Sequence, residues 1–178
     1  MFKFKTTSEE QTEKFGEILA RGLTDDSVIA LDGDLGAGKT CLARGIARGL
    51  GVTSFVSSPT FTIVNEYEGG RLRMFHFDTY RLADEEDFIG AGLDEYFGAG
   101  VCVIEWSDVI SGVLPEGTIR MRITGSGDER VFETDDAGTA KSAAASEAAR
   151  QAAGDAETQN NAADAVKQAA QEAGCEIL

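Results

Sequence analysis

The feature that most constrains this chain is a glycine-rich segment, Gly33 to Thr40, which reads GDLGAGKT. It fills every fixed position of the pattern G-x-x-x-x-G-K-[ST], in which glycines allow a tight turn and backbone N–H groups point at phosphate oxygens. The apolar run 28–31 precedes the segment, and three apolar residues follow it at helical spacing, Leu42, Ile46 and Leu50. A strand, a phosphate-binding loop and a helix are therefore predicted in that order.

The predicted loop indicates a nucleotide bound together with magnesium. Lys39 is expected to reach the outer phosphates, and the Thr40 hydroxyl is expected to help hold the metal ion that bridges them. A glycine-rich turn that matches the pattern by accident is the alternative, but the strand and helix on either side argue against it. The loop residues assigned to the nucleotide are Asp34, Gly36, Ala37, Gly38, Lys39, Thr40 and Cys41.

Two acidic residues are expected to complete the site because each ends an apolar strand. Asp78 follows the apolar residues around His76, and Glu105 follows the run 101–104. The carboxyl ends of parallel strands face the ligand crevice, so either acid could hold the metal ion or orient an attacking water molecule. The alternative is that each acid merely ends a strand in solvent or caps a turn. The sequence leaves the division of roles between the two acids open.

Two ring-bearing side chains accompany these acids. His76 is the only histidine, and strand alternation places it on the face opposite Phe75 and Phe77. No second residue supports metal binding or base catalysis by His76, so it is interpreted as structural. Trp106 follows Glu105 directly; packing is its more usual role, although its position allows it to gate the site.

Charge and composition exclude several classes of function. The formal net charge of −15 argues against a broad surface that binds nucleic acid directly, because that affinity comes largely from Lys and Arg. Any nucleic acid is expected to belong to a partner. The chain has no apolar stretch of about 18 residues and no long apolar block at its start, so neither a membrane span nor export is indicated. A cytoplasmic protein with buried, unpaired thiols at Cys41, Cys102 and Cys175 is expected.

The pattern along the chain predicts an α/β fold of the P-loop NTPase type. A mainly parallel sheet flanked by helices is expected over residues 1–132, with antiparallel hairpins added at 60–78 and 119–133. Residues 133–178 are rich in alanine and acidic residues and contain no aromatic residue or proline. This tail is interpreted as a fraying helical or disordered extension, and packing of the tail on the domain is the less favoured alternative.

Four motifs in order, Gly33 to Thr40, Ser58 to Phe61 (SPTF), His76 to Leu82 (HFDTYRL) and Ile104 to Trp106 (IEW), resemble the TsaE (YjeE) family of small bacterial ATPases. The resemblance covers roughly residues 5 to 132. It implies an ATP- and magnesium-dependent accessory protein in the threonylcarbamoyladenosine modification of tRNA. Such a protein acts on the TsaB–TsaD complex and meets tRNA only through that complex. Slow ATP hydrolysis without the partners is expected on physical grounds, because a site that lacks its last positive or water-orienting group turns over slowly until a partner supplies it.

The resemblance also implies residue roles. Lys39 and the loop amides bind phosphates, Thr40 and Glu105 hold magnesium, and Asp78 stands in the acidic position of the second nucleotide motif. Glu9 matches a position that approaches the nucleotide, and Trp106 follows the metal-binding acid as it does in relatives. The segment that resembles a nucleotide-responsive element consists of Ser58, Pro59, Thr60 and Phe61. Cys41 and Thr79 depart from the residues common in relatives, but the phosphate chemistry requires neither.

Two other functions remain open on the residues alone. A small-molecule kinase would share the phosphate loop, but the sequence offers no clear arginine pair or lid with which to build an acceptor site. A nucleotide-binding switch module would alter its affinity for a partner by occupancy alone, without significant catalysis. Attack by water on a site that a partner completes is the favoured hypothesis, because phosphoryl transfer depends on positioning and charge neutralisation.

Overall fold

The computed structural model describes residues 2–134 and 162–178, and the strands within these ranges form one eight-stranded sheet. The strands are β1 (Phe2–Thr6), β2 (Val28–Asp32), β3 (Val64–Tyr67), β4 (Met74–Asp78), β5 (Val101–Glu105), β6 (Ile119–Ser126), β7 (Glu129–Thr134) and β8 (Glu176–Ile177). The α-helices are α1 (Glu9–Leu19), α2 (Lys39–Leu50), α3 (Glu85–Gly90) and α4 (Ala162–Glu172). Short 3-10 turns cover Ala20–Gly22, Leu93–Tyr96 and Ser107–Ile110.

The strand order is β3-β4-β5-β2-β6-β7-β1-β8, and the centre of the sheet is parallel. The neighbours β4 and β5, β5 and β2, and β2 and β6 run parallel, whereas the pairs toward both edges run antiparallel. Strands β2, β4 and β5 are buried along their whole length, as parallel strands covered on both faces should be. The predicted fold class is confirmed, and so are the hairpins β3–β4 and β6–β7.

Each face of the sheet has its own apolar core. On the face covered by α1 and α2, the rings of Phe4, Phe15 and Phe132 lie between 4.7 and 5.7 Å apart. On the opposite face, α3 brings Phe88 to within 6.0 Å of the ring of Phe77. Since successive strand residues point to opposite faces, even-numbered positions of β4 point toward α2 and the odd-numbered phenylalanines point toward α3.

Helices α1 and α2 approach so closely that their contact depends on glycine. A Cβ atom at Gly45 would lie 2.2 Å from the carbonyl oxygen of Glu13, and one at Gly49 would lie 2.4 Å from that of Glu17. These distances are shorter than any ordinary contact between atoms. The opposing atoms belong to the backbone, which cannot move away as a flexible side chain could. The close packing fixes α1, and therefore Glu9 at its first turn, relative to the helix that follows the glycine-rich loop.

Gly45→Ala should therefore destabilise the fold even though alanine favours helix. Overpacking between the two helices is expected to lower the free energy of unfolding by about 1–3 kcal/mol. Urea denaturation followed by circular dichroism measures the effect. The matched control is Gly90→Ala, because a Cβ at Gly90 would meet nothing within 4 Å. Equal stability of Gly45→Ala and the unmodified protein would show that the helices can separate without cost.

Residues 162–178 pack on the domain, which the sequence analysis treats as the less favoured alternative. Strand β8 adds antiparallel to β1, and Val166, Ala169 and Ala170 of α4 are buried in the core beside α1. Small alanine side chains let the helix approach closely, so few large apolar residues are needed to dock it. The rest of the predicted tail, at 135–161, lies outside the described residues, and the domain boundary at residue 132 stays a prediction, although β7 continues to Thr134.

The predicted state of the cysteines is confirmed. Cys41, Cys102 and Cys175 are buried free thiols, and burial raises the pKa of Cys102 to about 12 and that of Cys175 to about 11. Such thiols stay protonated and unreactive near neutral pH. A search of the helices in the described part of the chain finds none that is both long enough and apolar enough to span a membrane.

Candidate functional site

A cleft of about 430 Å³ opens where the carboxyl ends of β2, β4 and β5 meet the start of α2. The predicted site residues that line it are Glu9, Gly36, Gly38, Lys39, Thr40, Cys41, Ser58, Thr60, Asp78, Glu105 and Trp106. Four predicted residues do not line it: Asp34 and Phe61 are exposed, whereas Ala37 and Pro59 are buried. Residues separated by almost a hundred positions in the chain therefore converge on the glycine-rich loop.

The loop presents the start of α2 as a binding site for an anion. Gly33, Gly36 and Gly38 have φ angles of 144°, 80° and 107°, which favour glycine strongly over other residues. Gly38 is the N-cap residue of α2 and supplies no side-chain hydrogen bond to the helix. The N–H groups of the first helical turn are therefore available to a ligand, and the helix dipole favours a negatively charged one.

Lys39 points into the loop. Its Nζ donates hydrogen bonds to the carbonyl oxygens of Gly33, at 2.5 Å, and Asp34, at 2.9 Å, and lies 3.9 Å from the centre of the Trp106 ring. Burial lowers the pKa of Lys39, while the negative charges of Glu105 and Asp78 act in the opposite direction. The ammonium group is thus held by neutral oxygens and an aromatic face, and an incoming phosphate would offer it a full negative charge.

Glu105 lines the cleft and contacts the first turn of α2. Its Oε1 accepts hydrogen bonds from Thr40 Oγ1, at 2.8 Å, and from His76 Nε2, also at 2.8 Å. The side chain of Glu105 is only 5% exposed. The hydroxyl and carboxylate that the sequence assigns to magnesium are therefore in direct contact, and His76, interpreted from the sequence as structural, contacts the same carboxylate.

These residues fit a magnesium ion that arrives with a triphosphate. Within the described residues, no group of three or more His, Cys, Asp and Glu side chains could hold a metal ion by itself. Magnesium bound to a nucleotide keeps several water molecules and takes phosphate oxygens, so it needs only one or two protein ligands. Thr40 and Glu105 would supply these. Asp78 fits less directly, because both of its carboxylate oxygens already accept hydrogen bonds from the protein.

Asp78 holds the Ser58–Phe61 segment against the cleft. The hydroxyls of Ser58 and Thr60 each donate to Asp78 Oδ2 at 2.7 Å, and the N–H of Tyr80 donates to Oδ1 at 3.1 Å. Ile63, two residues after the segment, has a φ of 67°, which is unfavourable for a β-branched residue, and its carbonyl accepts a hydrogen bond from the Asp78 N–H. The backbone strain and the carboxylate together fix this segment in one position.

Trp106 is placed by the turn that follows β5. It has a φ of 62°, and its carbonyl accepts a hydrogen bond from Thr79 Oγ1 at 2.7 Å. Asp32, at the end of β2, accepts from Ser107 Oγ at 2.7 Å and from the Asp108 N–H at 2.9 Å. Burial raises the pKa of Asp32, and these two hydrogen bonds act in the opposite direction. Asp32 therefore anchors the turn that sets the indole over Lys39.

Arg130 is a site residue that the sequence analysis missed. Its side chain, on β7, is only 4% exposed and lies against the loop, so a Cβ at Gly38 would come within 2.3 Å of Arg130 Nε. Arg130 Nη2 lies 3.4 Å from Glu9 Oε1, and its buried Nε has no hydrogen-bond partner in the described part of the chain. Strand alternation indicates that Arg130 points inward with Phe132 and Thr134, but it does not indicate contact with the loop.

Comparison with known proteins gives concordant results. The family model described as "Threonylcarbamoyl adenosine biosynthesis protein TsaE" matches residues 6–132. A Bacillus subtilis protein named tRNA threonylcarbamoyladenosine biosynthesis protein TsaE is 44% identical over 128 residues, covering 71% of this chain and 80% of the relative. A Treponema pallidum protein of the same name is 43% identical over 127 residues, covering 70% and 93% of the two chains. A crystal structure of Bacillus subtilis YdiB superposes with a TM-score of 0.66 at 35% identity, covering 86% of this chain and 99% of that one.

Proposed function

This chain belongs to the TsaE family, and on that premise we propose that it is a magnesium-dependent ATPase that assists the threonylcarbamoyladenosine modification of tRNA. The observation that carries the ATPase proposal is the meeting of the uncapped start of α2, Lys39, Thr40 and Glu105 in one cleft. The proposal for the pathway rests on the family and on the names of the relatives.

In the proposed reaction a water molecule attacks the terminal phosphate. The N–H groups of the loop and Lys39 hold the phosphate oxygens and stabilise the charge that develops on them. Thr40 and Glu105 would hold magnesium, which would neutralise charge on the phosphates. Arg130 places a buried positive charge at the same loop, beside Glu9. Glu9 and Arg130 both line the cleft and would therefore lie beside a bound nucleotide.

Slow hydrolysis by the isolated protein is supported by the state of its acids. Both oxygens of Asp78 accept hydrogen bonds from protein groups, and Glu105, whose bonds from Thr40 and His76 both end on Oε1, is assigned to magnesium. An acid that orients the attacking water must have an oxygen free to accept its proton. We infer that a partner which moves the Ser58–Phe61 segment would release Asp78 Oδ2 for that role.

The surroundings of the cleft support docking of a protein there. Leu35 and Tyr80 line the cleft and are 92% and 62% exposed, and Phe61 of the Asp78-bound segment is 83% exposed. Large apolar side chains exposed together are typical of protein interaction surfaces. From the family resemblance, the proposed partner is the TsaB–TsaD complex, with tRNA reached only through it and the cytoplasm as the proposed location.

The isolated protein should bind ADP and ATP with magnesium but hydrolyse ATP slowly. Addition of TsaB and TsaD is expected to raise the rate of phosphate release by at least about tenfold. The reason is that hydrolysis accelerates strongly when a partner supplies or frees the missing group that orients water. Phosphate release is measured for the protein alone, with both partners, and with both partners plus substrate tRNA. Rapid turnover that is independent of the partners would contradict gating, and a phosphorylated metabolite in place of free phosphate would indicate a kinase.

A further inference from the structure

The contact between His76 and Glu105 is not explained by packing. His76 lies in the middle of β4 between β3 and β5 and is fully buried. Its even-numbered position puts it on the α2 face, where Met74 of the same strand and Val103, its partner on β5, are apolar. An apolar side chain would suit the packing of this position at least as well as imidazole does.

The direction of the hydrogen bond follows from the chemistry of the pair. A carboxylate only accepts, so His76 Nε2 carries the hydrogen and donates it to Glu105 Oε1 over 2.8 Å. The second ring nitrogen, Nδ1, is buried and has no hydrogen-bond partner among the described residues. A polar atom that is buried without a partner destabilises the fold. The ring is therefore kept at a cost to stability, and among the described residues its polar contact is to Glu105.

We propose that His76 is a positioning residue that fixes Glu105 for magnesium. This inference rests on the proposed function, since it concerns the same carboxylate. His76 and Thr40 both donate to Oε1, from the sheet and from α2 respectively. Two donors on one oxygen hold the carboxylate in one orientation. The direction of its second oxygen, Oε2, is thereby fixed as well. Without His76, the carboxylate keeps a single donor, the Thr40 hydroxyl.

Loss of His76 should weaken the binding of magnesium but not the binding of the nucleotide itself. Removal of the hydrogen-bond partner of a metal ligand usually lowers metal affinity by about 10- to 100-fold. The phosphate contacts of Lys39 and the loop amides do not involve His76, so nucleotide affinity without metal should be unaffected. A purely structural residue of the core would instead weaken binding under both conditions, or lower stability with no selective effect on binding.

The test compares His76→Leu with His76→Gln. ADP affinity is measured by calorimetry with excess magnesium and again with EDTA, and Mn²⁺ affinity of the ADP complex is measured by electron paramagnetic resonance. His76→Leu is expected to lose about tenfold in ADP affinity with magnesium, a similar factor for Mn²⁺, and nothing with EDTA. His76→Gln should recover most of the loss, because its amide nitrogen can occupy the place of Nε2.

Phe75→Leu is the matched control, since Phe75 is also buried on β4 but points toward the other core. It should leave the magnesium dependence unchanged. If His76→Leu does not fold, His76→Asn replaces it, because that shorter amide cannot reach Glu105, and it should show the loss that His76→Gln does not. Equal losses with magnesium and with EDTA, or no loss at all, would overturn the positioning role. Absence of ADP binding by the unmodified protein would instead overturn the proposed function.

Discussion

Lys39→Ala should reduce ATP and ADP affinity by about a hundredfold, the largest effect on binding expected from any single substitution in the cleft. Charge-assisted hydrogen bonds to phosphate contribute about 1.5–3 kcal/mol each, and a loss of about 2.7 kcal/mol corresponds to that factor. Within residues 2–134 and 162–178, no other lysine lines the cleft. The change also removes the donor to the carbonyls of Gly33 and Asp34. The loop would therefore lose both its ligand contact and its internal bonds.

Calorimetric titration with ADP and magnesium measures this effect directly. The matched control is Lys14→Ala, because Lys14 is exposed on α1 and pairs only with Glu17 among the described residues. Thermal unfolding without nucleotide separates loss of binding from loss of the fold. The sole tryptophan provides a second signal, since Trp106 lies against Lys39 and its fluorescence should change when phosphate draws the ammonium group away. An unchanged dissociation constant for Lys39→Ala would refute the assignment of the loop.

The glycine-rich loop could be predicted because its geometry is set by residues that are adjacent in the chain. Glycine spacing, the strand before and the helix after are all local, and in the structure the motif runs from the end of β2 into the first turn of α2, as expected. Asp78 and Glu105 could be predicted almost as well. Each ends an apolar strand, and parallel pairing of β4 with β5 brings the two residues side by side.

Arg130 and His76 were beyond local reasoning for different reasons. Arg130 reaches the loop only because β7 is paired in one register with β6 and β1, and no sequence pattern fixes that register. For His76, alternation correctly placed the ring on the face opposite Phe75 and Phe77. Its partner Glu105 belongs to the neighbouring strand, and the diagonal contact depends on a strand order that the sequence did not reveal.

The tail shows the limit of reasoning from composition. The tail has few large apolar side chains, so the apolar area that it could bury is small. On that basis the sequence argues against packing of the tail on the domain. In the structure, Ala169 and Ala170 pack because α4 comes close to α1, and backbone pairing of β8 with β1 adds contacts that side-chain composition does not predict. Gln11 Nε2 also donates to the Gly174 carbonyl at 2.7 Å, which ties the tail to the first turn of α1.

Glu105→Gln should abolish most ATP hydrolysis even at saturating ATP, leave nucleotide affinity without metal unchanged, and lower nucleotide affinity with magnesium by about tenfold or more. Glutamine keeps an oxygen that can accept from Thr40 and His76, so the local packing is expected to survive. It removes the negative charge that would hold magnesium. Charge stabilisation by a bound metal ion contributes several kcal/mol to a transition state, so a loss of about a hundredfold in kcat is expected. Phosphate release in the presence of TsaB and TsaD measures it, with ADP affinity measured in parallel.

The same variant separates an ATPase from a passive switch. The matched control is Glu86→Gln, an exposed position on α3 that does not line the cleft and should keep full activity. If Glu105→Gln binds ATP, fails to hydrolyse it and also fails to support tRNA modification by TsaB and TsaD, then hydrolysis itself is required. If modification continues without hydrolysis, occupancy of the cleft is sufficient. In that case ATP binding alone would have to move the Ser58–Phe61 segment, and disruption of its bonds to Asp78 by Ser58→Ala with Thr60→Val should mimic the bound state.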